Sequence, residues 1–244
     1  MTENKKNNMT LVITKRELGA YFTSPIAYLV IALFLIATGF IFYSTFFINQ
    51  RAELKQFFQL LPFAFTLFIP ALTMKLFAEE HRSGSIETLM TLPVTETQVV
   101  MGKYFAAVIT SSSMLVPTLF YIVTLVMFGK PDFGPVIGGY LGSIVLCAVY
   151  SSIGIFASSI TKNQIIAFFT AFGISGFFTL IHLFMIFLPG PLVKIFDFFA
   201  FYPHFSSISR GIIDSRDIIF FLSVIVIFLM LTIKAQDSRR SEVR

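Results

Sequence analysis

Three stretches carry residue types that could do chemistry. Gly173-Ile174-Ser175-Gly176 has the Gly-x-Ser-Gly form of an intramembrane serine nucleophile. Such a serine needs a histidine base within ~3 Å. His182 lies seven residues further on, which is ~10 Å along one helix, and His204 falls in a later polar segment. The nucleophile reading fails, and Gly and Ser are also the residues that let membrane helices pack closely; Gly138-x-x-x-Gly142 reads the same way. Gly102-Lys103 and Gly129-Lys130 end like phosphate loops, but no G-x-x-x-x-G-K-[ST] occurs, so ATP must be bound by another polypeptide. The third stretch, AEEHRSGSIETLMTLPVT (78–95), gathers Glu79, Glu80, Arg82 and Glu87 around Gly84 and Pro93. Its chemistry is that of a polar contact surface. One cysteine, Cys147, sits in an apolar run and excludes a disulfide framework or a cysteine-based metal site. No H-E-x-x-H or intraspan carboxylate pair points to an enzyme.

Composition explains why residues 78–95 stand out. Of 244 residues, 56% are hydrophobic and only 13% charged, where a soluble domain carries roughly 25% charged residues. Runs of ~20 apolar residues cross a ~30 Å hydrocarbon core. The pattern predicts an all-α integral membrane protein with six spans, about 25–48, 57–77, 104–128, 136–160, 164–188 and 218–233. The last is short, ~24 Å of helix. The first run lacks a small-x-small cleavage site and is expected to be retained. Residues 9–24 place Leu11, Leu18 and Phe22 on one helical face, as in an interfacial amphipathic helix. Ser24 then caps a helix that opens on Pro25. Pro62 and Pro70 are expected to bend the second span.

With six spans and the N-terminus inside, twelve Lys and Arg residues fall on inner segments and six on outer ones. That asymmetry puts both termini and residues 78–103 in the cytoplasm. The net charge of +5 is spread along the membrane margins, which argues against nucleic acid as a partner. In the loop, Gly84 breaks one helix and a short one restarts at Ser85, with Ile86, Leu89 and Met90 on one face. Pro93 stops it. Thr95 and Gln98 then form a capping box, from which one helix can run unbroken from Glu96 to Phe128. The short helix could rest on the protein's own underside or on lipid headgroups, or dock a cytoplasmic partner.

The stretch FAEEHRSGSIETLMTLPVTETQVVMGKYFAA resembles the loop of ABC-2-type transporter permeases. SSIGIFASSITKNQIIAFFTAF (151–172) and ISRGIIDSRDIIFFLS (208–223) extend the likeness, and both resemble the permease of gliding-motility-associated ABC systems. The resemblance implies a six-span permease that works as a pair, with a second copy or a related permease-like subunit, each seated on an ABC ATP-binding subunit. ATP and Mg would be held by that partner, with no cofactor on this chain. An interfacial helix would precede span one, and the loop would hold the main coupling helix. TKNQ (161–164), with Lys162, would make a second contact, and a pair of short helices would dip into the membrane between spans five and six. From the residues alone, that last segment could equally be a surface hairpin, in which Lys194 and Asp197 could pair.

The ATPase-coupling residues expected on this reading are Glu79, Glu80, Arg82, Gly84, Ile86, Glu87, Leu89, Met90, Pro93 and Lys162. His182, the only ionisable residue well inside a span, is the candidate for a translocation path. The expected location is a bacterial cytoplasmic membrane. The rival reading is a non-transporting membrane anchor for an ATPase complex. An ion-coupled carrier would need ionised groups at mid-membrane, which the spans lack.

Overall fold

The computed structural model describes residues 3–48, 53–85, 94–129, 131–184, 189–212 and 214–242, and every regular element among them is helical. Helix α1 (Glu3–Thr23) leads into α2 (Pro25–Tyr43) through an extended Ser24, and α2 widens into a π turn at Ser44–Ile48. Pro25 occupies the first turn, where its missing N–H costs nothing. Helix α3 (Lys55–Thr73) carries Pro62 and Pro70 inside it and hands over at Met74 to α4 (Lys75–Ser83). After the loop come α5 (Glu96–Ser113), α6 (Leu119–Phe128), α7 (Phe133–Ser159) and α8 (Gln164–Phe184). Two short helices, α9 (Gly190–Phe199) and α10 (Phe201–Ser209), precede α11 (Ser215–Glu242).

Among the described residues, five helical segments are long and apolar enough to cross a membrane: Pro25–Ile48, Lys55–Ser83, Phe133–Ser159, Gln164–Phe184 and Ser215–Ser238. The unbroken helix expected over 96–128 is not formed. It divides into α5 and α6 around residues 114–118, where Met114, Leu115 and Val116 donate three residues back, to Ser111, Ser112 and Ser113. The cause is Pro117, which has no N–H to give and crowds the preceding turn. A tighter three-residue ladder accommodates it. The Thr118 hydroxyl and carbonyl both meet the Tyr140 hydroxyl of α7, which fixes the break.

Helix α7 is the spine of the fold and is buried along most of its length. Its glycines let neighbours approach: a Cβ at Gly138 would lie 2.5 Å from the Ile208 carbonyl, and one at Gly142 would lie 2.9 Å from the Ile208 side chain. Helix α10 therefore packs into the bundle, with Phe201, Phe205 and Ile208 buried. The adjoining Phe198 and Phe199 of α9 stay exposed. Where apolar burial is this complete, polar groups must find partners internally. The Tyr150 hydroxyl does so with the Pro62 carbonyl (3.0 Å) and Thr179 (2.6 Å), while Thr66 meets both of those groups. This network holds α3, α7 and α8 together at the proline of α3.

Helix α11 runs well past the expected end at Ile233. Its continuation is packed rather than free: Thr232 and Gln236 are buried, and Gln236 Nε2 lies 3.3 Å from His81 Nε2 of α4. The helix also starts one turn before the expected residue 218, so Asp214 takes the cap by accepting from Arg216 N–H at 2.9 Å. Asp217 is left to pair with His204 at 2.6 Å.

Candidate functional site

The two helices flanking the 78–103 loop end in well-defined caps. Gly84 closes α4 at φ 73°, a left-handed conformation that glycine adopts without a Cβ penalty. On the other side Thr95 accepts from Gln98 N–H at 3.3 Å, and the Gln98 side chain accepts from Thr95 N–H at 3.1 Å. This reciprocal box satisfies two N–H groups that a helix start leaves orphaned. Ile86, Glu87, Leu89, Met90 and Pro93, expected to form the docking helix, lie outside the described residues.

Beneath the loop the structure assembles a cluster of four charges from three elements. Lys103 of α5 is fully buried, and its Nζ meets Glu80 Oε1 at 2.8 Å, Glu17 Oε1 at 3.2 Å and the Leu76 carbonyl at 2.8 Å. It also lies 5.1 Å from the centre of the Phe77 ring, within cation–π range. Arg16 closes the cluster from the solvent side at 2.6 Å from Glu17 and 3.1 Å from Glu80. A buried ammonium is tolerated only when paired and hydrogen-bonded, and Lys103 has both.

Electrostatics follow the same geometry. Burial would raise the Glu17 carboxyl, but Lys103 and Arg16 outweigh it and hold Glu17 below its ordinary value. Burial likewise opposes the Arg16 charge, yet Glu17 and Glu80 raise its pKa above the usual value. Glu17 and Arg16 are therefore both ionised at neutral pH.

Helix α1 is drawn into this arrangement. The face it buries is Ile13, Glu17 and Tyr21, a four-residue spacing centred on a charge. Leu11 and Phe22, expected on the interfacial face, are exposed and suit a headgroup boundary. The crossing of α1 on α5 is made close by Gly102: a Cβ there would lie 2.7 Å from Ile13. Thr14 Oγ1 donates to the Gly102 carbonyl at 3.1 Å, and the Tyr21 hydroxyl donates to the Leu72 carbonyl at 3.0 Å.

The expected contact residues divide by position. Glu79, Arg82 and Gly84 are exposed at the end of α4. Glu80, expected beside them, is engaged by Lys103 and Arg16 with its side chain only 17% exposed. Lys162 is exposed in the tight turn between α7 and α8, where Asn163 N–H donates to Thr161 and Ile165 N–H to the Asn163 side chain. That turn sits at the same end as the loop. Ser158, near the end of α7, accepts from the N–H groups of Phe77 and Ala78 at 3.0 Å and donates to the Met74 carbonyl. One hydroxyl thus satisfies orphan groups at the start of α4.

From the sequence, Lys103 and Arg16 register as positive charges at a membrane margin and Glu17 carries no signal of its own. The available signal was a lysine placed one residue after a glycine inside an otherwise apolar stretch. His182, at the far end of the bundle, stacks on Tyr202 with ring centres 4.7 Å apart. Among the described residues no group of three or more His, Cys, Asp or Glu could hold a metal ion.

These features define a multi-pass helical membrane protein with a braced polar loop at one end and no catalytic constellation among the residues brought together there. Residues 23–187 match the family described as ABC-2 family transporter protein, and the chain belongs to that family. It is thus a membrane component of an ABC transporter, a family that works with an ATP-binding subunit. No curated protein matches the chain.

Proposed function

We propose that the chain is the permease subunit of an ABC exporter in a bacterial cytoplasmic membrane, driven by a separate ATP-binding subunit through the 78–103 loop. ATP and Mg would bind on that partner. The observation that supports it most is the brace: Lys103 ties the helices on both sides of the loop to each other and to α1. A push on the loop is then delivered to three elements at once rather than absorbed by a flexible hinge. Glu79, Arg82 and Glu87 would make polar contacts, and Ile86, Leu89 and Met90 the apolar face. Gly84 and Pro93 would set the breaks, and Lys162 the second contact, with Glu80 holding the base.

In this reading α5 and α6 together form a sixth crossing. Their lengths of about 27 and 15 Å exceed a ~30 Å core even with the break. Both termini are cytoplasmic, and α9 and α10 form the re-entrant pair. The permease works with a second copy or a related subunit, and its nearest subtype is the gliding-motility-associated one. Alternating access requires that the ATPase pair favour one arrangement of the spans over the other.

The test is the ATPase activity that the permease stimulates in its co-expressed ATP-binding subunit. Glu87→Lys should reduce stimulation about tenfold, because a like-charge contact across an interface costs more than the ~1.4 kcal/mol that a factor of ten represents. Expression and membrane insertion should be unchanged. Arg216→Glu, exposed at the opposite end of α11, should be silent. Wild-type stimulation by Glu87→Lys would remove the loop from the coupling path and favour a passive anchor.

A further inference from the structure

At the end of the bundle opposite the charge cluster lies a cavity of about 780 Å³. Helix α3 measures the separation: it leaves this cavity at Lys55 and, continued by α4, reaches Glu80, ~37 Å of helix away. The walls come from the start of α3, the approach to α7, the end of α8, and both α9 and α10. Glu53, Asp132 and Asp197 share the cavity with Lys55 and Arg210. Arg210 spends Nε and Nη2 on Ser206. Its Nη1 makes no hydrogen bond among the described residues. Phe58, Leu125 and Val136 supply an apolar floor.

His182 also lines this space. Stacking on Tyr202, at an interplanar angle of 24°, fixes its ring. Its Nδ1 is nevertheless buried and has no hydrogen-bond partner among the described residues. With under 1 Å² of accessible surface that nitrogen is closed to the cavity, and leaving a buried polar atom unpaired is costly.

We infer that this cavity binds a zwitterion carrying a phosphate and a primary ammonium, an aminoalkyl phosphate. The charge pattern selects the class. A simple anion would sit beside Asp132 and Asp197, and a simple cation beside Lys55 and Arg210. A molecule of both signs meets both sets. The open edge of the Arg210 guanidinium matches phosphate oxygens, with Lys55 as an added point charge. Asp197 and the Tyr202 ring suit the ammonium. The same chemistry occurs in a lipid headgroup and in a free small molecule.

The experiment uses the full chain alone and is independent of the coupling reading. Native mass spectrometry of the detergent-solubilised protein would follow titrations with phosphatidylethanolamine and with phosphatidylglycerol. One phosphatidylethanolamine per chain should be retained about tenfold more tightly than phosphatidylglycerol, the expected effect of one charge-assisted contact. Arg210→Gln should weaken binding of both lipids. Asp197→Asn should weaken only the first and so erase the preference. Both positions are exposed, and unchanged thermal unfolding would show that the variants fold. Displacement by free glycerophosphoethanolamine assigns the site to a soluble zwitterion, and selective retention without displacement assigns it to the lipid. Equal binding of the two lipids, or variants that keep the wild-type preference, would overturn the proposal.

Discussion

Lys103→Met is expected to destabilise the protein by about 3 kcal/mol, the low end of the range for removing one partner of a buried ion pair. The low end applies because Arg16 remains beside both carboxylates. Methionine keeps the packing on Phe77 while taking away the charge. Glu17 and Glu80, with side chains only 11% and 17% exposed, would then face each other with the half-exposed Arg16 as their remaining ion-pair partner among the described residues. Adding Glu80→Gln should recover part of the loss, since one buried negative charge goes with the missing positive one. If Lys103 acted through packing alone, the second substitution would add to the damage. Thermal unfolding in detergent separates the two. A cysteine at Ile13, after replacement of Cys147 by alanine, reports whether α1 has lifted from Gly102. The same thiol should respond to acid. Glu17 has a lowered folded pKa, so its contribution is fully present above the unfolded value of 4.5. It is lost as pH falls from there through the folded value. Thiol accessibility should therefore rise only below that point and stay flat from pH 5 to 8.

Leu89→Asp is expected to abolish co-purification of the ATP-binding subunit. On the proposed docking helix Leu89 lies between Ile86 and Met90, the central position of a small apolar face. Truncating or charging a central anchor commonly costs 2 kcal/mol or more of binding, and an aspartate adds an unpaired buried charge to that loss. The effect should exceed that of Glu87→Lys, which leaves the apolar anchor in place. The permease itself should fold as before, because Lys103, Glu17 and Glu80 hold the posts from below. An ATP-binding subunit that stays attached to Leu89→Asp would place the docking surface elsewhere, with the Lys162 turn as the remaining exposed candidate at that end.

What the sequence disclosed and what it withheld have the same physical origin. The Thr95–Gln98 capping box was readable because its two halves are three residues apart and obey a local rule. Gly84 was readable for the same reason. Hydropathy alone marks the long apolar helices, but it is blind to a break made by Pro117 and settled by Tyr140. The packed face of α1 was missed because apolar spacing picks Leu11, Leu18 and Phe22. The face actually buried centres on Glu17, whose burial makes sense only beside Lys103, 86 positions away. Asp217 meets His204, 13 positions away, a pairing that no local rule signals. Charge pairs formed across elements leave no periodic trace in a single sequence, and the candidate site is built largely from them.

The central claim is that an ATP-binding subunit sits on the loop end of this permease. Site-specific photo-crosslinking tests it most directly. A photoreactive residue would be placed in turn at Met90, at Lys162 and, as the control, at Ile212, which is exposed near the start of α11. In membranes holding the co-expressed ATP-binding subunit, Met90 and Lys162 should each cross-link to it and Ile212 should not. Cross-linking from Ile212, or its absence from both Met90 and Lys162 while the two proteins still co-purify, would contradict the account.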